Sequence, residues 1–520
     1  MSRRTSSAPG EALRATGELA AAAPAPRAAV AATLLRWFWM SVGAACTALP
    51  FLDPRLWPLA WFGLVPLFAL APRAPTTRAA VIDALVMGLV VNVIGFHWLV
   101  TTIHVFGAFP MPIALFFFGV LSAWGSLPFV LVSLGLRAAG PKAPLVLAPI
   151  LWTSVEFLFP NLFPWRLGHS QREVVWLLQS GDLAGPFLLS FVMAWFAAAL
   201  TRLPRLRPLV GPVIAIVALL LYGAWRVAEV DATLARAPEF RVGVVQGNLA
   251  LGEKREPGSY ESNVARYRRL SASLSPPPDL LVWPETVVAW GIPLEATTLK
   301  GLDPYPDAPA PLLFGAVAYR ELGRREVEWF NSAFLRRRDG SVGGRYDKII
   351  LMPFGEFIPL ASVFPSLKEL SPNTGDFQAG EEPVVMNVSD QARVGALICY
   401  EDLLAGHVRR TVAAGATLLV TIANDAWFGD SAALHEHDTL ALWRAVENRR
   451  YLVRATNTGL TSVIDPAGRS VLTLPTQTAT AGAATVHLLT VETLYQRFGD
   501  LFGWTLLAVG ISLLVYCRRL

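Results

Sequence analysis

The sequence predicts a polytopic α-helical membrane domain of about eight transmembrane helices joined to an extracytoplasmic α/β domain. Three observations predict it. The 520 residues are 53% hydrophobic and only 16% charged, against about 25% charge in an ordinary soluble domain. The charge is uneven, with 18 charged residues in 31–230 and 59 in 231–520. Long apolar runs fill the first of these segments, while short β-branched runs broken by Gly, Pro and polar residues fill the second. Lipid is the solvent implied for the first and water for the second.

Residues 1–30, rich in Ala, Pro, Ser and Arg, cannot bury enough apolar surface to order themselves and read as a disordered tail. A span needs about 20 apolar residues. Candidates cover 31–51, 57–72, 80–105, 111–136, 144–160, 184–201, 209–227 and 501–517. The chain thus divides into the tail, a membrane domain of seven helices over 31–230, an extramembrane domain over 231–495, and a last span with its end over 496–520.

Loop charges orient these spans, because short cytoplasmic loops are enriched in Lys and Arg. With the N-terminus inside, alternate junctions carry Arg73 and Arg78, then Arg137 and Lys142, then Arg202, Arg205 and Arg207, and the chain ends in Arg518 and Arg519. Both termini are then cytoplasmic and 231–495 lies outside.

In that domain 241–248, 279–285, 311–319, 331–337, 393–402, 416–425 and 461–468 read as strands, and 254–274 and 432–450 as helices. Asp339-Gly340 is a turn signal between two strands.

The net charge of +5 is dispersed, without the basic-aromatic patch of a nucleic-acid binder. Cys46, Cys399 and Cys517 are odd in number and show no metal-ligand spacing, so no disulfide framework or zinc site is expected. The run His435-Glu436-His437 does not change this, since alternate helix positions point apart and no third ligand is spaced for a metal.

Three residues at the ends of separate apolar runs could act together. Cys399 ends VGALIC, Glu285 ends LLVWPE, and Lys348 precedes IILMPFGEFIPL. Singly they read as a packed thiol, a solvated carboxylate and a snorkelling lysine. Jointly they suit acyl transfer. Only the thiolate attacks carbonyls well, so a carboxylate to take the proton and a cation to favour the sulfur anion are both useful. The same cation can stabilise an oxyanion.

The order WPE, DK with PFGE, then CYE resembles the Glu-Lys-Cys triad of the nitrilase superfamily. With the membrane helices and FPWRLGHSQ (163–171), VVQGN (244–248), NDAWFGDS (424–431) and RATNTG (454–459), the chain is similar to the apolipoprotein N-acyltransferase family over nearly its whole length. The resemblance implies an α-β-β-α sandwich on the periplasmic side of a bacterial inner membrane. It implies Glu285 as general base, Lys348 as charge stabiliser and Cys399 as nucleophile. Glu356, Tyr400 and Glu401 match further important residues, and Asn331 and Trp427 belong to the surrounding pocket.

The implied reaction moves the sn-1 acyl chain of a phospholipid, typically phosphatidylethanolamine, onto Cys399 as a thioester. The N-terminal amine of an S-diacylglyceryl-cysteine lipoprotein then receives it. No cofactor is needed. Two departures from the family stand out: Arg255, where a Trp is frequent, and Glu436-His437, where Gln-His is frequent. The apolar stretch 353–370 is expected to act as a mobile lid on the membrane surface. Two rival readings use the same residues. One is a membrane-tethered amidase or nitrile hydrolase, which gives no reason for eight spans. The other is a transporter or receptor, which would ordinarily keep more ionisable groups within its spans.

Overall fold

The computed structural model describes residues 26–519 apart from 142, 251–257, 324–325, 354, 359–362 and 364–374. Helix α1 (Pro26–Leu52) starts within the stretch expected to be a tail, and residues 1–25 lie outside the described residues. The major helices that follow are α2 (Thr77–Phe96), α3 (Met111–Ala139), α4 (Leu147–Leu158), α5 (Pro186–Leu200) and α6 (Val210–Leu234). Their outward faces carry Phe38, Phe116, Ile214, Leu221 and Trp225 exposed, an apolar surface suited to hydrocarbon.

Among the described residues, Ala29–Leu52, Pro54–Arg73, Thr77–Phe96, Met111–Ala139 and Arg207–Leu234 are long and apolar enough to cross a membrane. Val175–Ala184 and Pro186–Leu200 form a sixth only if taken as one span bent by 117°. The bend falls at Gly185, whose φ of 61° a side chain would resist, followed by a proline that has no N–H to continue the helix. Leu147–Leu158 and Leu501–Cys517 are apolar but shorter.

Beyond residue 238 the chain folds into two sheets. The first contains β1 (Glu239–Gln246), β2 (Leu280–Val282), β3 (Val288–Pro293), β4 (Leu312–Glu321), β5 (Val327–Arg336), β6 (Val342–Asp347) and the late strand β13 (Thr480–His487). Its order is β13-β1-β2-β4-β5-β6, with β3 pairing β4. The second contains β7 (Val385–Asn387), β8 (Arg393–Ile398), β9 (Leu418–Ala423), β10 (Leu452–Thr456), β11 (Ser462–Ile464) and β12 (Ser470–Thr473), in the order β12-β11-β10-β9-β8-β7. Asp339-Gly340 makes the turn between β5 and β6, with Gly340 at φ 79°.

Alternation along the strands builds three cores. Val242, Val244 and Leu335 of the first sheet meet Val394, Val420 and Val453 of the second. The first sheet's outer face packs Trp283 against Val264 and Tyr267 of α7 (Tyr260–Ala272). The second sheet's outer face packs Leu397, Leu419 and Leu452 against α8 (Ala405–Ala413) and α9 (Ala433–Asn448). This last core does not stop at α9. It continues without a break into Leu151, Met193 and Ala197 of α4 and α5. The final helix, α10 (Leu501–Arg519), returns to α4, where Trp504 meets Phe157 edge to face at 5.0 Å.

A charged node joins the two halves. Asp182, buried in the short turn before α5, accepts from Arg449 Nη2 at 2.6 Å, Arg226 Nε at 2.6 Å and the Tyr222 hydroxyl at 2.7 Å. Arg449 is 1% exposed, so the carboxylate is needed to balance a fully desolvated guanidinium. Asp182→Ala is expected to destabilise the protein by about 3–5 kcal/mol, and Tyr222→Phe by about 1 kcal/mol. Thermal unfolding in detergent reads both.

Candidate active site

The topology brings three chain ends together. β2, β4 and β6 run in one direction, and Glu285 and Lys348 follow the ends of β2 and β6. Cys399 follows β8 directly, and the parallel neighbour β9 is followed in the same way by Asn424 and Asp425. Cys399 itself has φ 53°, a left-handed conformation that costs of order 1–3 kcal/mol in a non-glycine residue. The sharp corner turns the thiol out of the strand line while Tyr400, Glu401 and Asp402 begin a helical turn. Glu285 can sit close to β4 because Gly315 is there: a Cβ would lie 2.6 Å from the Glu285 Cα and 2.4 Å from the next amide nitrogen.

Lys348 is 1% exposed. Its Nζ lies 2.7 Å from Glu356 Oε2 and 3.9 Å from Glu285 Oε1. Asn331, on β5, donates through Nδ2 to Glu285 Oε1 and to Glu356 Oε1, each at 2.7 Å. The same residue's carbonyl accepts the Lys348 amide at 2.8 Å, and the Met352 amide donates to Glu356 Oε2 at 2.8 Å. One amide side chain therefore spaces two carboxylates around one ammonium. Burial alone would lower the Lys348 pKa, but Glu356, Glu285 and Cys399 hold it well above its ordinary value. Lys348 is thus a fixed cation and not a proton acceptor.

Burial and the charge of Glu285 push the Cys399 thiol well up, with Lys348 opposing them. The thiol is consequently neutral at rest, and its proton must be taken as it attacks.

Glu401 supports the corner from behind. It is fully buried; its Oε1 accepts from the Tyr346 hydroxyl at 2.7 Å and the Ile349 and Ile350 amides at 2.8 and 3.1 Å, and its Oε2 accepts the Ile398 amide at 2.8 Å. The chain after Lys348 and the chain before Cys399 are pinned to the same carboxylate. His407, pushed down to about 4 by burial and Arg410, is neutral and shares the Tyr346 hydroxyl at 3.1 Å. Tyr400 reaches the other way, donating to the Leu162 carbonyl in the loop after α4 at 2.6 Å. Trp427 is half-buried in the turn Asp425–Phe428.

A second charged cluster lies on the side of the second sheet that packs toward the apolar helices and was not foreseen from the sequence. His437 Nε2 lies 2.8 Å from Asp402 Oδ1, and its Nδ1 lies 3.3 Å from Asp425. Arg454, fully buried in β10, bridges Asp402 at 3.0 Å and Asp438 at 3.2 Å, and Arg172 reaches Asp438 at 3.2 Å. The His435-Glu436-His437 run therefore resolves into separate tasks: His437 sits between two carboxylates, while Glu436 accepts from Trp98 Nε1 at 3.1 Å. Of the stretch 353–370 expected to form a lid, 354, 359–362 and 364–370 lie outside the described residues, as does Arg255.

Two family models match the chain: the apolipoprotein N-acyltransferase N-terminal domain over residues 43–199, and carbon-nitrogen hydrolase over 241–496. An apolipoprotein N-acyltransferase of Geobacter metallireducens is 34% identical, covering 89% of this chain and 91% of its own length. One from Azotobacter vinelandii is also 34% identical, covering 81% of this chain and 83% of its own. Among solved structures, a branch 10 nitrilase-superfamily member from Saccharomyces cerevisiae aligns over 50% of this chain and 94% of its own, at 17% identity and a TM-score of 0.37.

Two outcomes are expected of this site. Alkylation of Cys399 by iodoacetamide in the unliganded enzyme should be slow at pH 7 and keep rising beyond pH 9 without a plateau, since its thiol titrates well above the free value; labelling followed by mass analysis measures it. Burial and Arg454 oppose a charged His437, but Asp402 and Asp425 more than offset them and raise it to about 9. Its folded pKa exceeds the unfolded one, so its contribution is full below about pH 6.5 and is lost as pH rises through 9. Thermal unfolding should show this loss, and His437→Gln should abolish it.

Proposed function

The chain belongs to the apolipoprotein N-acyltransferase family, an acyltransferase of lipoprotein biosynthesis, and from that premise we propose how its residues divide the reaction. Glu285 takes the Cys399 proton as the sulfur attacks the sn-1 ester carbonyl of a phospholipid, phosphatidylethanolamine in the simplest case. The oxyanion develops beside Lys348, whose charge is fixed by Glu356 and Glu285. The ester C–O bond breaks, the proton passes from Glu285 to the departing oxygen, and lysophospholipid leaves a thioester on Cys399.

In the second half the neutral α-amine of an S-diacylglyceryl-cysteine attacks the thioester. Glu285 accepts the amine proton and returns it to sulfur. The balance is one ester and one amine consumed, one amide and one lysophospholipid formed, with the enzyme regenerated. A single base serving both halves predicts ping-pong kinetics. Asn331, Glu356 and Glu401 are positioning residues in this scheme, and Tyr400 and Trp427 form the lipid-facing rim.

The observation that carries the reading is the assembly of Glu285, Asn331 and Glu356 around Lys348, with Glu285 and Lys348 in electrostatic reach of Cys399. We further propose seven spans before residue 230 and one after 496, with the catalytic half periplasmic and both termini cytoplasmic. The alternating Arg- and Lys-bearing loops support that orientation.

The test is to incubate purified protein with labelled phospholipid, then with a diacylglyceryl peptide, and to weigh both enzyme and peptide. The expected result is a Cys399 thioester with donor alone and an N-acylated peptide once acceptor is added. Cys399→Ala should form neither, and Glu285→Gln should slow thioester formation by about 10²–10⁴. Absence of both thioester and acylated peptide in the unsubstituted enzyme would overturn the scheme.

A further inference from the structure

Between the membrane helices and the catalytic half lies a cavity of about 30 Å³ whose walls include Phe51, Phe96, Trp98, Trp165 and Phe428. Glu436, at the start of α9 and 7% exposed, enters this apolar lining. Trp98 Nε1 donates to its Oε2, while its Oε1 has no hydrogen-bond partner among the described residues. An unmatched buried carboxyl oxygen in an aromatic box is costly unless something fills the place.

The chemistry of that something can be narrowed. Burial pushes Glu436 up to about 8 against the Trp98 bond, so at neutral pH it is the acid form. With Oε2 accepting from Trp98, the proton resides on Oε1, which is a donor awaiting an acceptor. Apart from Glu436, the only titratable side chain on the cavity wall among the described residues is His437, and its two ring nitrogens face Asp402 and Asp425. Arg454 lies behind Asp402. Among the described residues no free cation is offered to a phosphate or carboxylate. The Thr47 hydroxyl donates to the Gly43 carbonyl. A buried water, which ordinarily makes about three hydrogen bonds, would be poorly held here. An isolated acceptor flanked by methylenes matches the lining.

We propose that this cavity is a recognition site for an ester carbonyl on a lipid acyl chain, with Glu436 donating the hydrogen bond and the aromatic walls enclosing the flanking methylenes. The site rests on the function proposed above, in which the donor keeps a second ester beside the one that reacts and the diacylglyceryl acceptor carries two. Its place fits that use. Phe163, also on the wall, follows Leu162, whose carbonyl holds Tyr400, the residue after the nucleophile.

The test compares ester with ether. In one arm the phospholipid's non-transferred chain is ester- or ether-linked; in the other the acceptor peptide carries a diacylglyceryl or dialkylglyceryl group. Acyl transfer is measured for the unsubstituted enzyme, Glu436→Ala and Glu436→Gln. The ether should lower kcat/KM by about tenfold in one arm, which identifies the lipid bound. The penalty should vanish in Glu436→Ala and persist in Glu436→Gln, whose amide still donates. Without any substitution, it should also fade as pH rises through about 8, where the donor ionises. No ether penalty in either arm, or an equal penalty with and without the carboxyl, overturns the site while thioester formation stays intact. Failure to form a thioester with any donor instead overturns the function on which the site rests.

Discussion

The two halves of the molecule are arranged around α9, in which every residue but His435 is buried. One face of this helix closes the second sheet, and the other continues the core of the membrane helices. A helix so enclosed should be apolar throughout, yet this one carries Glu436, His437, Asp438, Arg444 and Glu447, and Arg449 and Arg450 follow its end. Each charge therefore has to be answered by the surrounding elements. Asp182 answers Arg449 from the membrane half, Arg172 and Arg454 answer Asp438, Asp402 answers His437, and Arg444 pairs with Glu447 at 2.5 Å. Removing one partner strands the other without water, which makes the relative placement of the two halves a property of discrete pairs as well as of apolar contact.

The reaction centre obeys the same rule at closer range. Glu285, Glu356 and Glu401 converge near one lysine, and like charges at such spacing would ordinarily force a proton onto one of them. Asn331 hydrogen-bonds the first two and Lys348 lies beside both, while Tyr346 and three backbone amides hydrogen-bond the third. The outcome is a carboxylate near the thiol, a cation that does not titrate away, and a strained corner that holds the sulfur off the strand.

Much of this was legible in the sequence where one local pattern sufficed. Seven apolar or β-branched runs ended by polar residues became β1, β2, β4, β5, β8, β9 and β11. Three of the strands that escaped notice have a composition or exposure that hides them. β13 is built largely of Ala, Gly and Thr, β12 is largely exposed, and β10 carries Arg454, whose burial makes sense only once Asp402 and Asp438 are beside it. Glu285, Lys348 and Cys399 stood out as reactive groups at strand ends. Asn331 was noticed through family resemblance alone, because its bridging of two carboxylates depends on the β4–β5–β6 register. The corner at Gly185 was hidden because an apolar run looks the same whether straight or bent. Contacts such as Trp98 with Glu436 join residues 338 positions apart, beyond any periodicity.

The enclosure of α9 draws on chain from both sides of it. The apolar helices up to α6 and strands β1 to β9 precede it in the chain, whereas β10 to β12, half of the sheet it covers, follow it. The last helix, α10, then packs against α4 and closes the chain upon its own early part. Cut away from the apolar helices of the first half, residues 231–495 would expose the face of α9 that those helices cover.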